Sequence, residues 1–123
     1  MIYHQLLGIF MIFGLSAPQI FALLSSDEQN YCATFHNDLR RTVANGEQRN
    51  KTGTLPSANN MLEMSYNETT GEIAQSWVDQ CQFSHSQASG LGENIYYTTR
   101  EDLSNTEALK STFNFWWDEV VNI

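Results

Sequence analysis

Three stretches of the chain place apolar residues at helical spacing, and one short stretch alternates. Over 26–45, Cys32, Phe35, His36, Leu39 and Val43 share one face at intervals of three and four, the period of an amphipathic helix. Ser25-Ser26-Asp27-Glu28 supplies cap acceptors and acids at its start, and Asn45-Gly46 supplies the stop. The spacing predicts a second helix over 70–82, opened by the capping box Thr69-Thr70-Gly71-Glu72, with Ile73, Ala74, Trp77 and Cys81 on its buried face. A third helix begins at the box Ser104-Asn105-Thr106-Glu107. It carries a broad stripe of Leu109, Phe113, Trp116, Trp117 and Val120, with Glu119 on the stripe's flank and partly shielded from water. Between the second and third helices, residues 93–98 read as a strand. Ile95 and Tyr97 point one way, and Glu93, Asn94 and Tyr96 lie around the other face or edge.

The connections are polar. Residues 47–60 are rich in Gly, Asn, Thr and Ser and contain Pro56, which marks a loop. Met61-Leu62-Glu63-Met64-Ser65-Tyr66 alternates weakly, as a short strand or an extended lead-in. Residues 83–92 form a loop of small and polar residues ending in Gly90-Leu91-Gly92. No internal repeat or low-complexity tract interrupts this order.

The N-terminal stretch stands apart. Residues 5–15 are almost wholly apolar, small residues follow at Ser16, Ala17, Ala22, Ser25 and Ser26, and no Asp, Glu, Lys or Arg precedes Asp27. This is the pattern of a secretory signal peptide over 1–22, with cleavage between about 17 and 26. Its n-region carries His4 in place of Lys or Arg. The rival reading, a membrane anchor, is opposed by Gly14, Ser16, Pro18 and Gln19, which leave the apolar run short for a span.

At 123 residues and 41% hydrophobic the chain suits one packed domain, 26–123. Every charged residue follows the leader, so the net charge of −8 stays with the mature protein. That balance disfavours nucleic acid and anionic membrane surfaces as partners. In a secreted chain Cys32 and Cys81 are disulfide candidates, paired with each other or with thiols elsewhere. Asn50-Lys51-Thr52 and Asn67-Glu68-Thr69 are glycosylation sequons.

The chemistry concentrates in Ser84-His85-Ser86 and Leu91-Gly92-Glu93-Asn94-Ile95. A carboxylate at the start of a half-buried strand needs a partner. His85, Glu93 and Glu119 are metal-ligand types, yet no short-range spacing ties them together. His85 and Glu93 also suit a general base and its orienting partner. The plainer alternative is a loop histidine bonded to Ser84 and Ser86. No serine lies in a Gly-x-Ser-x-Gly elbow and neither cysteine looks catalytic, so no nucleophile is indicated. His36 reads as a hydrogen-bonded core residue. Asn37 and Arg40 read as ties from the first helix to neighbouring loops. The aromatic surface around Phe113, Phe115, Trp116 and Trp117 reads first as core, with part of it available to line a groove for a lipid tail or an apolar partner.

Taken in order, four pieces resemble the CAP superfamily (SCP/TAPS), which includes cysteine-rich secretory, antigen five and pathogenesis-related class-one proteins. They are His36-Asn37-Asp38-Leu39-Arg40, Trp77-x-x-x-Cys81 followed by His85-Ser86, Gly92-Glu93-Asn94-Ile95-Tyr96, and Trp116-x-x-Glu119. The resemblance runs from about residue 26 to 121. The polar loop and Met61-Leu62-Glu63-Met64 are most similar to secreted SCP-like, activation-associated proteins of nematodes.

The resemblance implies an α+β fold, an α-β-α sandwich around a central antiparallel sheet. This chain supplies the N-terminal portion of it: three helices and the first one or two strands. It also implies a cleft of two histidines and two glutamates, with His85 the first histidine, Glu93 the first glutamate and Glu119 the second. The fourth member is expected in a Gly-His-Tyr-like strand beyond Ile123, so these three form a partial tetrad. The two histidines hold zinc in members that bind it, so zinc is expected in a complete form of the domain. The usual partner of the Cys81 equivalent also belongs to the later portion, and Cys32 lies outside the general pattern. Members bind sterols or fatty acids, modulate host immunity, block ion channels or act in plant defence. The implied function is a secreted CAP protein that binds an extracellular protein or lipid, in host–parasite interaction or immune modulation. It has no stable membrane insertion after signal cleavage. The alternative is a metal-dependent hydrolase that uses the His/Glu cleft.

Overall fold

The computed structural model describes residues 24–123 and the backbone of residues 6–12. In chain order the elements are strand β1 (Leu6–Ile12), helices α1 (Ser26–Ala44) and α2 (Glu68–Val78), strand β2 (Gly92–Thr98), helix α3 (Asn105–Trp117) and a closing 3-10 turn (Asp118–Asn122). This is a mixed α and β arrangement consistent with an incomplete CAP-type fold.

Helix α1 shows why local sequence suffices at some elements. The Ser25 hydroxyl accepts from the backbone N–H of Glu28, whose carboxylate accepts in return from the Ser25 N–H at 2.7 Å, a complete capping box. At the other end Gly46 takes a left-handed φ of 72°, which glycine reaches without steric cost. The Gly46 N–H then bonds the Val43 carbonyl and the Glu47 N–H bonds the Thr42 carbonyl, the paired bonds of a Schellman stop. Asn37 and Arg40 reach from this helix to the following loop, as expected. The Asn37 side chain donates to the Met64 carbonyl and accepts from the Met64 N–H, both at 2.8 Å, while Arg40 donates to the Leu62 carbonyl. These ties hold 61–66 as an extended lead-in with no strand pairing.

Helix α2 starts earlier than its sequence suggests. The expected box at Thr69 is not the cap; Asn67 is, accepting from the Thr70 N–H at 2.9 Å. Asparagine is the stronger N-cap type, and it wins two residues upstream. The buried face is therefore Thr70, Ala74 and Val78, while Ile73 is exposed. The helix ends at Val78, so Cys81 lies in the turn beyond it, exposed, with φ of 52°. The placement of Cys81 on a buried helical face is thus corrected. Gly71 leaves room for a close approach: a Cβ there would lie 2.2 Å from the Tyr66 hydroxyl oxygen, and the Tyr66 side chain would have to move.

β2 pairs with β1 in parallel, Leu6 opposite Gly92 and Ile12 opposite Thr98. The antiparallel sheet that the resemblance implies is not what the described strands form. A parallel pair needs a long crossover, and here α1 and α2 lie within it. Of the 1–22 segment read as a leader, only 6–12 falls among the described residues, and it lies in this sheet.

Side-chain parity along β2 sorts the layers. Ile95 packs with Leu91 and Trp77 against Ala74 and Val78 of α2. Tyr96, on the opposite face, meets Phe115 of α3 at 5.2 Å between ring centroids, and the Trp116 indole donates to the Ile95 carbonyl. Glu93 shares the parity of Ile95, not of Tyr96, which reverses its expected side. On its far side α3 buries Leu109, Thr112 and Phe113, and Phe113 stacks among Tyr31, Phe35 and His36 of α1. The order is α2, sheet, α3, α1.

Candidate functional site

Glu93 is the second residue of β2, at the mouth of the 83–91 loop that returns from α2. The Trp77 indole pins this loop by donating to the Ser84 carbonyl at 2.7 Å. Gln87, with φ of 61°, reverses the chain so that the Ser86 hydroxyl also accepts from the Ala88 N–H. The loop thereby presents three donors to one carboxylate. His85 Nδ1 donates to Glu93 Oε1 at 2.7 Å, the Ser86 N–H donates to the same oxygen at 2.8 Å, and the Ser86 hydroxyl donates to Oε2.

The Glu93 side chain is 9% exposed, whereas that of His85 is 56% exposed. Burial alone would raise the Glu93 pKa. The Ser86 hydroxyl and N–H, followed by His85, outweigh it and hold the carboxyl below the usual glutamate value. The carboxylate is therefore ionised at neutral pH and fixes the proton of the imidazole on Nδ1.

Sequence reasoning brought His85 and Glu93 to one place, and the structure joins them directly. The alternative in which His85 bonds Ser84 and Ser86 is not what forms: Ser84 serves Trp77, and Ser86 serves Glu93. The part played by Ser86 was missed as a Glu93 partner. The signal available was the hydroxyl and N–H of a serine next to a histidine, seven residues before a strand carboxylate.

Glu119 does not join them. It lies in the closing 3-10 turn and is exposed. The expected shielding beside Trp116 assumed that the α-helix continues. It ends at Trp117, and the tighter turn advances each residue by about 120° rather than 100°, which rotates Glu119 off the stripe. Among the described residues no group of three His, Cys, Asp or Glu side chains converges as a metal site. His85 and Glu93 alone are fewer than the three or four ligands a zinc site needs, so the described residues do not complete one and no chemical step is derived through the metal.

The other chemistry-bearing residues lie elsewhere. His36 donates from Nδ1 to the Cys32 carbonyl at 2.7 Å and packs edge-on against Phe113. Its burial lowers its pKa, so it is a neutral core histidine, as expected. The Cys32 and Cys81 thiols are both free, and burial pushes that of Cys32 up to about 12. Asn67 caps α2, and Asn50 closes a turn in the polar loop by accepting from the Thr52 and Gly53 N–H groups.

A sheet faced by helices on both sides, with a histidine, serine and glutamate locked together at the head of a strand, defines the class. Residues 33–122 match the model of the CAP, cysteine-rich secretory protein family, and the chain belongs to that family. It is 40% identical over 105 residues to venom allergen 5.01 of Dolichovespula maculata, covering 79% of this chain and 45% of that protein. It is 34% identical over 110 residues to venom allergen 5 of Microctonus hyperodae, covering 83% of this chain and 47% of that protein. Venom allergen 5 of Tityus serrulatus is 32% identical over 104 residues, 79% of this chain and 23% of that protein. The chain thus spans about half the length of the first two and about a quarter of the third. No solved structure matches.

Proposed function

We propose that the protein is a secreted CAP protein that acts outside the cell by binding a protein or lipid, without turnover. One observation carries this reading. The Ser86 hydroxyl donates to Glu93 and not to His85, so the cluster holds no serine–histidine nucleophile–base pair. Neither thiol supplies one, since Cys32 holds its proton at neutral pH and Cys81 lies on a turn outside the cluster.

Apolar surface is available for binding instead. Phe83 and Tyr97 form an exposed edge-to-face pair on the α2 side of the sheet, and Phe115 is exposed beside Tyr96 on the α3 side. Among the described residues no helix is long and apolar enough to cross a membrane. Secretion on the N-terminal apolar segment, with cleavage between about 17 and 26, belongs to the same reading, as does a role in host–parasite interaction or immune modulation. The relatives named as venom allergens favour an extracellular destination.

The deciding experiment measures hydrolysis of peptide and ester panels by the purified protein, with and without zinc. No turnover above the zinc-only control is expected. Zinc-dependent turnover abolished by His85→Ala would overturn the binding reading and establish a metal-dependent hydrolase.

A further inference from the structure

The two Asn-x-Thr triplets are alike in sequence and unlike in structure. Asn50 belongs to the irregular segment between α1 and α2. Its N–H bonds the Gly53 carbonyl at 3.0 Å, and Arg49 bridges to Thr54, so residues 50–53 form a small surface turn. The Asn50 side chain folds over the turn, Oδ1 accepting from the N–H groups of Thr52 at 3.2 Å and Gly53 at 2.9 Å. Lys51, Thr52, Gly53 and Thr54 are exposed, Asn50 itself is half-buried, and the Lys51 N–H bonds the Ile123 carbonyl at 3.1 Å. Asn67 instead is the cap of α2, with Oδ1 accepting from both the N–H and the hydroxyl of Thr70. Asn67, Glu68 and Thr69 are themselves exposed, but Glu68 and Thr69 are the first turn of the helix, and Thr70 behind them is 3% exposed.

We infer that Asn50 carries an N-linked oligosaccharide and that the helix cap withholds Asn67 from the same modification. In the transfer, Asn50 Nδ2 bonds to the anomeric carbon of a lipid-pyrophosphate-linked oligosaccharide. The bond from that carbon to the pyrophosphate oxygen breaks, the lipid pyrophosphate leaves, and one Nδ2 proton passes to a base of the transferase. A transferase must engage asparagine and threonine together on a bent, accessible strand of chain. The 50–53 turn meets that demand without loss of regular structure. At Asn67 the same engagement requires the first turn of α2 to unwind and the cap to open, which exposes Thr70. Adding the sugar leaves Oδ1 untouched, so the turn at Asn50 survives its own modification.

The inference rests on secretion. The test expresses the full chain in eukaryotic cells and reads intact mass, in medium and in lysate, before and after N-glycosidase, which converts a sugar-bearing Asn to Asp. Secreted protein with Asn50 fully occupied and Asn67 occupied in a minor fraction is expected. Asn50→Gln should remove the principal glycan, and Thr69→Ala, which keeps the Asn67 cap, should leave it in place. Secreted protein without sugar, or with equal occupancy at both positions, overturns this inference and leaves secretion standing. Unmodified protein confined to the lysate overturns both.

Discussion

Two histidines with the same local bond lead different lives. Each uses Nδ1 as a donor at 2.7 Å, His36 to a backbone carbonyl one turn back on its own helix and His85 to a carboxylate on a distant strand. His36 lies among Phe35 and Phe113, where water is excluded and the charged form is penalised. His85 is more than half exposed and faces an ionised partner. A histidine in a motif is therefore not yet a site. What surrounds the ring decides whether it packs, titrates or presents a proton.

The sharpest way to test that contrast is to empty the His36 surroundings. Phe113 is 3% exposed and touches Tyr31, Phe35, His36 and Trp116. Phe113→Ala should cost about 3–5 kcal/mol in denaturant unfolding. Asn37, beside His36, closes both backbone groups of Met64, so Asn37→Ala should cost about 1–3 kcal/mol. On the other side of the contrast, Glu93→Gln should also cost about 1–3 kcal/mol, because it replaces an ionised acceptor of three bonds. His85→Ala should cost less than about 1 kcal/mol, as expected for a half-exposed partner.

Acid separates the two regions. His36 has a folded pKa below its unfolded value, so the unfolded state binds the extra proton first. Stability should begin to fall as the pH drops below about 6.5, and His36→Gln should remove that step. Glu93 is also depressed, but as a carboxyl. Its contribution is complete above its unfolded pKa of about 4.3 and is lost as the pH falls through the lower folded value. Glu93→Gln should flatten only this more acidic part of an unfolding curve taken from pH 7 to pH 3. The smallest perturbation is covalent labelling under native conditions. Exposed Cys81 should react with maleimide well before Cys32, whose thiol is held protonated.

How much of this was legible in the sequence varies with how local the deciding contact is. Helix α1 was readable end to end, since its capping box and glycine stop lie within five residues of each end. In α2 the cap is Asn67 and not Thr69, and the helix ends at Val78; Ala74 and Trp77 keep their expected side, while Ile73 is exposed and Cys81 falls beyond the helix. The apolar run at 6–12 reads as a leader, and the strand its backbone forms rests on pairing with Gly92–Thr98, a contact between distant segments that no local pattern announces. At the site, residue types named His85 and Glu93. The bonds from Ser86 depend on a left-handed residue at Gln87 that no propensity announces. The expected shielding of Glu119 came from continuing the α-helix, whereas the chain closes in a 3-10 turn that leaves it exposed.

The β1–β2 pairing has a consequence for the life history of the chain. Among the described residues β2 has a strand on one flank only. A cut between 17 and 26 would separate Leu6–Ile12 from the rest and remove the one strand that pairs with β2 among the described residues. Seven consecutive residues with open backbone donors and acceptors are a template for whatever strand arrives next. Processing would then act as a topological event as well as a trimming one, turning a paired strand into one that recruits.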